Sequence, residues 1–402
     1  LMQQVITPAD KQVEHTTKST IIQFVILAIL LLNVSVSFTA FAFLQWYSYL
    51  SLGICIVNFM VLGLINMRKP MASYLDLVVG FYLVLLIIFS IINGTDIKNA
   101  IYKSIEVGIV IFCLNLWRRP ELMVKSFTLV MSAAAYGNLA VMVLFPDWMF
   151  AAKDAFDSYI LGGNYNQIGS RLIFGLALNT VCMRWGWWWK LNMVVLSIVS
   201  IATLAFVGSM TSLSCILLYI VFCMIPSEKL QKLGSIAFFV FYLLFQCFVV
   251  FSGEGLHNNS LAVYIIEDVL GKDITFTNRT RLWDAAGSKF AESPIIGYGW
   301  VDTEWYTSEM DSFAIGPHNY IYSVLITGGV TLLSLLIIAI GLVFRRISTK
   351  FDKHANILLM GLFTLLFMML MEVYPFFFLF ILLYTLYYYP TMKFDDDEKA
   401  QQ

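Results

Sequence analysis

Two arginines, a run of carboxylates and a histidine lie together in one stretch of an otherwise apolar chain, residues 278–329. The stretch begins NRTRLWDAAGSKFAESPIIGYGW and, after a polar spacer, ends GPHNYIYSVLITGG. Guanidinium groups bind anions, and an imidazole takes up and releases protons near neutral pH. The residues before and after the stretch are apolar enough to lie in a bilayer. We therefore expect any chemistry here, beside a membrane-spanning segment.

The composition places the chain among integral membrane proteins. It has 402 residues, of which 59% are hydrophobic and only 13% are charged, and its mean hydropathy is +0.79. A water-soluble protein of this size could not bury so much apolar surface. The net charge of -1 gives no indication of nucleic-acid binding. The six cysteines fall within apolar runs and form no CxxC pair, which indicates packing residues.

Apolar runs near twenty residues long predict an all-α membrane protein with about twelve transmembrane helices. Residues 1–251 hold about nine of them, 252–318 form one large extracytoplasmic loop, 319–391 hold about three more, and 392–402 form a cytoplasmic tail. The polar N-terminus leads into a span without an A-x-A-like site, so no cleavable signal is expected. The predicted spans are 20–38, 44–66, 74–93, 100–117, 121–145, 166–183, 187–207, 210–226, 233–251, 319–344, 355–372 and 374–391.

The distribution of basic residues predicts the orientation of these spans. If the N-terminus is cytoplasmic and the spans alternate, 17 of the 25 lysines and arginines fall in the inner loops. This positive-inside bias predicts that both termini are cytoplasmic. Of the eight outer basic residues, half lie in the loop 252–318.

The loop 252–318 is too long to be a mere connection, so we expect it to have structure of its own. SLAVYIIEDVLG, which starts at Ser260, is amphipathic and predicts a helix along the membrane surface. TRLWDAAGSKFAES carries apolar residues at helical spacing and predicts a second helix, which ends before Pro294. The two glycines of IIGYGW then predict a turn.

Together these motifs resemble the signature of the O-antigen ligase/polymerase superfamily. Its members are the Wzy-type polymerases and the related WaaL-type ligases of bacterial surface polysaccharides. The resemblance rests on Arg279 with Trp283 four positions on, on SPIIGYGW and on HNYIYSVLITGG. GGNYNQIGSRLI, from Gly162, is also similar to the family's Asn-and-Gly turn at the outer start of a span. The twelve-span layout with one large late loop extends the resemblance to most of the chain.

The resemblance implies a glycosyltransferase of the GT-C type that works at the outer face of the bacterial cytoplasmic membrane. Its donor would be a glycan on undecaprenyl diphosphate, with membrane lipids and a chain-length regulator as further partners and no cofactor. Arg279 matches the family's diphosphate ligand, with Arg281 beside it. His318 matches the family histidine, which takes the proton of the acceptor hydroxyl or orients it. Asn319 would bond the histidine or the sugar.

The chain departs from the family at one point. The family often carries a Gly-Ser-Arg segment between two spans, whereas here Gly208 and Ser209 are followed by Met210. We expect Arg171, at an outer span end, to replace the absent arginine as a substrate ligand. The alternative is that Arg171 only extends its charge to the membrane interface.

Further substrate-binding residues are expected around this set. Asn166 belongs to the upstream turn and alternatively only shapes it. Glu372 lies at the outer end of a late span, where a carboxylate needs a partner or solvent. Tyr298 and Trp300 lie in the loop, and an aromatic ring such as that of Trp300 offers a face on which a sugar ring stacks.

The remaining polar residues of the loop are carboxylates and aromatic side chains. Asp302, Glu304, Glu309 and Asp311 lack the spacing of a metal-ligand set, so no metal site is predicted. We interpret this segment as a solvated or sugar-contacting loop. Two of its aromatic side chains are further candidates for sugar stacking, Trp305 and Tyr306.

Three functions are compatible with the sequence. The first is a polymerase that joins lipid-linked repeat units, and the second is a ligase that moves a glycan onto lipid A core or another acceptor. The third is a transporter or flippase, which would carry ionisable residues in mid-span or an inverted repeat. The HNY motif and the lack of an added soluble acceptor domain favour the polymerase.

Overall fold

The computed structural model describes residues 17–37, 45–67, 73–145, 159–162, 165–269 and 273–395, and every regular element in them is helical. The only β pairing among these residues is an isolated bridge between Val36 and Leu161. The helices before the long loop are α1 (Thr17–Ser35), α2 (Gln45–Asn66), α3 (Tyr74–Asn93), α4 (Ile97–Trp117), α5 (Pro120–Leu144), α6 (Tyr165–Cys182), α7 (Trp187–Val207), α8 (Met210–Met224) and α9 (Glu228–Phe248).

The long loop and the last third of the chain complete the architecture. The loop begins with a 3₁₀ segment, Val250–Asn258, and α10 (Ser260–Val263) continues as the π-helical turn Tyr264–Val269. The remaining helices are α11 (Arg279–Glu292), α12 (Thr303–Glu309), α13 (Tyr320–Ile347), α14 (Lys353–Met368) and α15 (Phe376–Tyr388).

The prediction of a helical membrane protein is confirmed. In the described part of the chain, eight helices are long and apolar enough to cross a bilayer, namely α1–α5, α7, α9 and α13. The other predicted spans correspond to α6, which is not among these eight, and to α8, α14 and α15, which are shorter than the ~20 residues that a span usually needs. The number of twelve spans stays a prediction.

Local sequence explains where several helices begin and end. Ser73, Asp96 and Asp352 each precede a helix, and each accepts a hydrogen bond from a backbone N–H of its first turn. Gly94 and Gly208 end α3 and α7 in the left-handed conformation, which a glycine adopts without steric cost. These caps satisfy terminal N–H and C=O groups that an apolar environment would leave unpaired.

Three helices form the centre of the bundle. Every residue of α6 from Ile168 to Cys182 is buried, as is nearly all of α14 and α15. In contrast, α2, α3, α7 and α9 carry rows of exposed large apolar residues. In water such rows would be unstable, and a bilayer covers them. The central helices touch little lipid, which explains why they tolerate shorter sequences.

Hydrogen bonds tie together the helix ends at each of the two ends of the bundle. At one end, Nη1 of Arg184 lies 3.0 Å from Oδ2 of Asp352, and the Tyr389 hydroxyl donates to the same carboxylate. These residues join the end of α6, the start of α14 and the end of α15. At the other end, the backbone N–H of Asp96 donates to the carbonyl of Trp300. We call this second end, which carries α11 and α12, the loop end.

The structure bears on two expectations for the loop. The predicted helix before Pro294 is confirmed as α11, which buries Leu282, Trp283 and Ala286. The amphipathic segment from Ser260 is helical over its described residues, as one α-helical turn followed by the π-helical segment Tyr264–Val269. Several residues used for the orientation argument lie outside the described part of the chain, namely Lys11, Arg68, Lys69, Lys153, Lys272 and Lys399, as does most of the acidic tail.

Candidate functional site

The motif IIGYGW docks onto a break in α13. Gly328 and Gly329 have non-helical backbone angles, which interrupts the helix and frees carbonyl groups of the preceding turn. The N–H groups of Tyr298 and Gly299 donate to the carbonyls of Ile326 and Thr327, at 2.7 and 3.0 Å. Irregular backbone in a membrane protein requires such internal partners. The two glycine-containing motifs of the sequence therefore form one structural unit.

Glycine is needed on the loop side of this unit. Gly297 and Gly299 have φ angles of 62° and 78°, which L side chains rarely adopt. A Cβ atom on Gly299 would also lie 2.4 Å from the Cα of Ser90 in α3. The close approach lets the N–H of Trp300 donate to the Ser90 hydroxyl at 2.8 Å. Trp300 is thus fixed to α3 and α4 through its backbone.

A second irregular segment, residues 369–375, separates α14 from α15. Its carbonyl groups accept hydrogen bonds from different parts of the chain: Tyr320 N donates to the carbonyl of Met369, and Arg279 Nε donates to that of Met371. The side chain of Gln167 donates to the carbonyl of Val373 at 3.0 Å. The segment is therefore held from α6, α11 and α13 at once, as buried backbone groups require.

Between these two breaks lies a cavity of about 310 Å³, which opens at the loop end. This volume is at the lower end of the ~300–1,000 Å³ typical of small-molecule sites. It is lined by residues of the upstream turn, the loop, the start of α13 and the segment 369–375. Five of the residues singled out from the sequence line it: His318, Glu372, Trp300, Asn166 and Tyr306.

His318 and Glu372 form the only close contact between a basic and an acidic side chain found in this cavity among the described residues. Nδ1 of His318 lies 3.3 Å from Oε2 of Glu372, and the two side chains are 15% and 14% exposed. The contact is not aligned as a hydrogen bond, since Nδ1 is buried without a hydrogen-bond partner. Because Nδ1 faces the carboxylate, Nε2 is the ring nitrogen left for a substrate.

The backbone at His318 is strained. Its φ angle is 46°, in the left-handed region that costs a non-glycine residue of the order of 1–3 kcal/mol. The neighbouring Asn319 holds this conformation, because it caps α13 by accepting the N–H of Tyr322. The Asn319 amide also donates to Gln246 and to the carbonyl of Leu370. Asn319 is fully buried and does not line the cavity, so its observed contacts support the start of α13. Its predicted bond to the histidine or to the sugar stays a prediction.

Arg279 is hydrogen-bonded to the backbone of Met371, the residue that precedes Glu372. Besides its hydrogen bond of 3.0 Å from Nε to Met371, it donates from Nη1 to the carbonyl of Phe276 at 3.1 Å. Its second terminal nitrogen, Nη2, makes no hydrogen bond within the described residues. Arg279 does not line the cavity and joins the start of α11 to the segment that carries Glu372.

Arg281 points to a different surface. Its Nη2 lies 2.6 Å from Oδ2 of Asp311, and its side chain is 57% exposed. It lies outside the cavity. Arg281 and Arg279 are two positions apart on α11, and residues at that spacing do not face the same side of a helix. Tyr298 also lies outside the cavity, with its hydroxyl donating to the carbonyl of Lys289 at 3.1 Å.

Arg171 is buried inside the bundle, with 5% of its surface exposed. Nη1 donates to the backbone and side-chain oxygens of Gln167, at 2.9 and 2.7 Å. Its guanidinium lies over the ring of Phe378, 5.2 Å from the centroid. The Arg171 side chain is therefore enclosed by neighbouring helices of the bundle. Arg171 lies behind Gln167, which itself lines the cavity.

The carboxylates of the loop are engaged with neighbouring groups. Asp302 caps α12 by accepting the N–H of Trp305, and Glu309 pairs with Lys289 at 3.0 Å. Lys289 also pairs with Glu292 at 2.9 Å. Hydrogen bonds to Glu292 and Glu309 raise the pKa of Lys289, and the hydrogen bond from Lys289 lowers the pKa of Glu292. This cluster joins α11 to α12.

Sequence reasoning missed three polar residues of the cavity. Gln167, Ser323 and Thr327 line it beside His318. Gln167 follows directly on Asn166, so the upstream motif contained the signal. Ser323 and Thr327 lie four positions apart near the start of α13, and that spacing places them on one face of the helix.

No protein-family model matches this chain. No curated protein and no solved structure matches it.

Proposed function

We propose that this chain is a glycosyltransferase that polymerises undecaprenyl-diphosphate-linked oligosaccharide repeat units. The observation that carries the proposal is the His318–Glu372 pair, held at 3.3 Å in a cavity whose wall includes Trp300. A histidine backed by a carboxylate is the arrangement used to remove a proton from a hydroxyl group. The indole ring of Trp300, in the wall of the same cavity, offers an aromatic face on which a sugar ring can stack.

The proposed step forms one glycosidic bond and breaks another. An acceptor hydroxyl attacks the anomeric carbon of the donor sugar, and the bond from that carbon to the diphosphate breaks. Undecaprenyl diphosphate leaves with the electron pair, while Nε2 of His318 takes the acceptor proton. Glu372 stabilises the imidazolium that forms. His318 and Glu372 thus act on the transition state more than on bound substrate.

Arg279 is the proposed contact to the leaving diphosphate. Its Nη2 has no hydrogen-bond partner in the described structure, and its other donors fix it beside the Glu372 segment. A guanidinium so held can bind phosphate oxygens without reorganising. Nε and Nη1 already have acceptors, so Arg279 would also keep Glu372 in place.

The cellular setting belongs to the same proposal. Twelve spans of GT-C type, two cytoplasmic termini and an extracytoplasmic loop end would put the cavity where lipid-linked glycans are polymerised. The bacterial cytoplasmic membrane is the membrane that holds undecaprenyl diphosphate. The positive-inside distribution of lysines and arginines supports this orientation.

Reconstitution tests the proposal directly. The purified protein in nanodiscs is incubated with the undecaprenyl-diphosphate-linked repeat unit of the strain that carries the gene, in excess EDTA. We expect a ladder of lipid-linked oligomers together with free undecaprenyl diphosphate. If no ladder forms with or without added divalent cations, the polymerase proposal fails. Transfer to lipid A core without a ladder would indicate the ligase.

A transporter is the second candidate, because two observations favour it. Glu106 and Arg171 are ionisable side chains buried within helices of the bundle, and α13 is interrupted at Gly328. Both features occur in secondary transporters. Uptake of a radiolabelled repeat-unit oligosaccharide into proteoliposomes, with no change in its length, would favour transport over polymerisation.

A further inference from the structure

A second pocket lies beside the cavity of His318. It has a volume of about 230 Å³ and is lined by residues of α4, α6, the loop and the segment 369–377. Gln167, Trp300 and Val373 line both spaces, so the two share a wall. Two charged side chains of α4, Lys103 and Glu106, line only the second pocket.

Lys103 and Glu106 form an ion pair with unequal exposure. Nζ of Lys103 lies 2.9 Å from Oε1 of Glu106, and their side chains are 27% and 1% exposed. The other carboxylate oxygen, Oε2, is buried and accepts no hydrogen bond within the described residues. An unsatisfied buried acceptor on a charged group is costly, and the lysine compensates only one oxygen. A ligand that donates a hydrogen bond would satisfy Oε2.

The charges of the pocket favour a neutral ligand. The positive Lys103 is balanced by Glu106, and a phosphate group would meet the buried carboxylate. A sugar hydroxyl can donate to a carboxylate oxygen and accept from a lysine. The indole of Trp300 and the ring of Phe376, with centroids 6.0 Å apart, provide aromatic faces for the apolar side of a pyranose.

We propose that the Lys103–Glu106 pocket is a second glycan subsite, in which Glu106 Oε2 accepts a hydrogen bond from a hydroxyl of a neutral sugar. Resting on the proposed function, this subsite would hold a sugar of one repeat unit while the reacting end of the chain lies beside His318. The shared wall at Trp300 places the two sugars next to each other. Glu106 then determines specificity without contacting the reacting atoms.

Binding of sugars to the whole purified protein in nanodiscs tests the subsite. The probe is a panel of methyl glycosides, including glucoside, galactoside and N-acetylglucosaminide, measured by saturation-transfer NMR, with inorganic pyrophosphate as the anionic probe. We expect at least one glycoside to bind the native protein. Glu106→Gln should weaken its binding about tenfold, as expected for one charge-assisted hydrogen bond.

Two further variants keep the test decisive. Lys103→Gln alters the same pocket at a partly exposed position and should weaken the same glycoside if Glu106→Gln does not fold. Glu228→Gln, an exposed carboxylate at the start of α9, is the matched control and should bind as the native protein does. The proposal is overturned if no glycoside binds, if both pocket variants bind normally, or if pyrophosphate competes with the glycoside for the pocket.

The results of these experiments distinguish failure of the proposed subsite from failure of the proposed reaction. Normal polymer formation and normal glycoside binding by the folded Glu106→Gln variant would remove the subsite and leave the proposed reaction intact. Glycoside binding that depends on Glu106, in a native protein that forms no polymer, would keep the sugar pocket and remove the reaction.

Discussion

Nδ1 of His318 lies 3.3 Å from Oε2 of Glu372, although one residue precedes α13 and the other lies in the break between α14 and α15. Two separate sets of hydrogen bonds position these side chains. The Asn319 cap holds His318 in a left-handed conformation, and Arg279 holds the carbonyl of Met371 next to Glu372. The arrangement is therefore built by residues outside the cavity.

Glu372→Gln should lower turnover and leave donor binding intact. The amide keeps the size of the carboxylate but no longer stabilises a protonated imidazole, so we expect a loss of about 10²-fold in the transfer rate. Single-turnover transfer and donor binding are measured on the same preparation, with Glu228→Gln as the control. A transfer rate within twofold of the native protein would remove Glu372 from the mechanism.

Arg279 and Arg281 form a matched pair on one helix. Arg279→Ala should abolish polymer formation, because it removes both the proposed diphosphate contact and the hydrogen bond that holds the Glu372 segment. Arg279→Lys should also be poor, since an ammonium group does not reproduce the planar fork. Arg281→Ala should have little effect on polymer formation, because Arg281 lies outside the cavity and its side chain is 57% exposed. Polymer length and yield in cells would show the opposite order if Arg281 were the phosphate ligand.

Arg171→Ala separates the two roles considered for Arg171. Its burial and its bonds to Gln167 predict a structural effect, with a loss of about 1–3 kcal/mol in folding free energy. We expect a lower melting temperature than that of Lys229→Ala, an exposed control at the start of α9. Native stability with weakened binding of the lipid-linked donor would instead support the sequence-based expectation of a ligand in place of Met210.

Acid should loosen the last turn of α11. The hydrogen bond from Lys289 depresses the folded-state pKa of Glu292, and both residues lie on α11. This carboxylate therefore stabilises the last turn of α11 above its ordinary pKa of 4.5, and the stabilisation is lost as the pH falls through the depressed value. Hydrogen exchange of residues 289–292 should rise as the pH falls below 4.5, once the intrinsic exchange rate is subtracted. Lys289→Ala should raise it already at pH 7. Unchanged protection in both experiments would show that this pair does not stabilise the end of α11.

The sequence predicted much of the architecture. Apolar runs located the helices to within a few residues. The spacing of Leu282 and Ala286 located α11, because a helix buried on one face carries apolar residues every three to four positions. The glycines of IIGYGW predicted the turn. The sequence did not predict which residues the turn contacts. The N–H groups of Tyr298 and Gly299 donate to backbone carbonyls of α13, and a backbone carbonyl leaves no signal in the sequence.

The sequence predicted less of the site. His318, Glu372, Trp300 and Asn166 were singled out and line one cavity. The acceptors of Arg279 are backbone oxygens, and every residue carries one, so no side-chain pattern indicated them. Lys103 was counted only as an outer basic residue, because its buried pairing with Glu106 depends on helix packing.

His318 is proposed to remove the proton of the acceptor hydroxyl. This role is tested by single-turnover transfer by His318→Ala with the lipid-linked donor bound at saturation, alongside donor affinity. We predict a rate loss of about 10²–10⁴-fold with an unchanged dissociation constant, because a base acts in the transition state. Transfer at a near-native rate by a variant that binds donor normally would show that His318 is not the base.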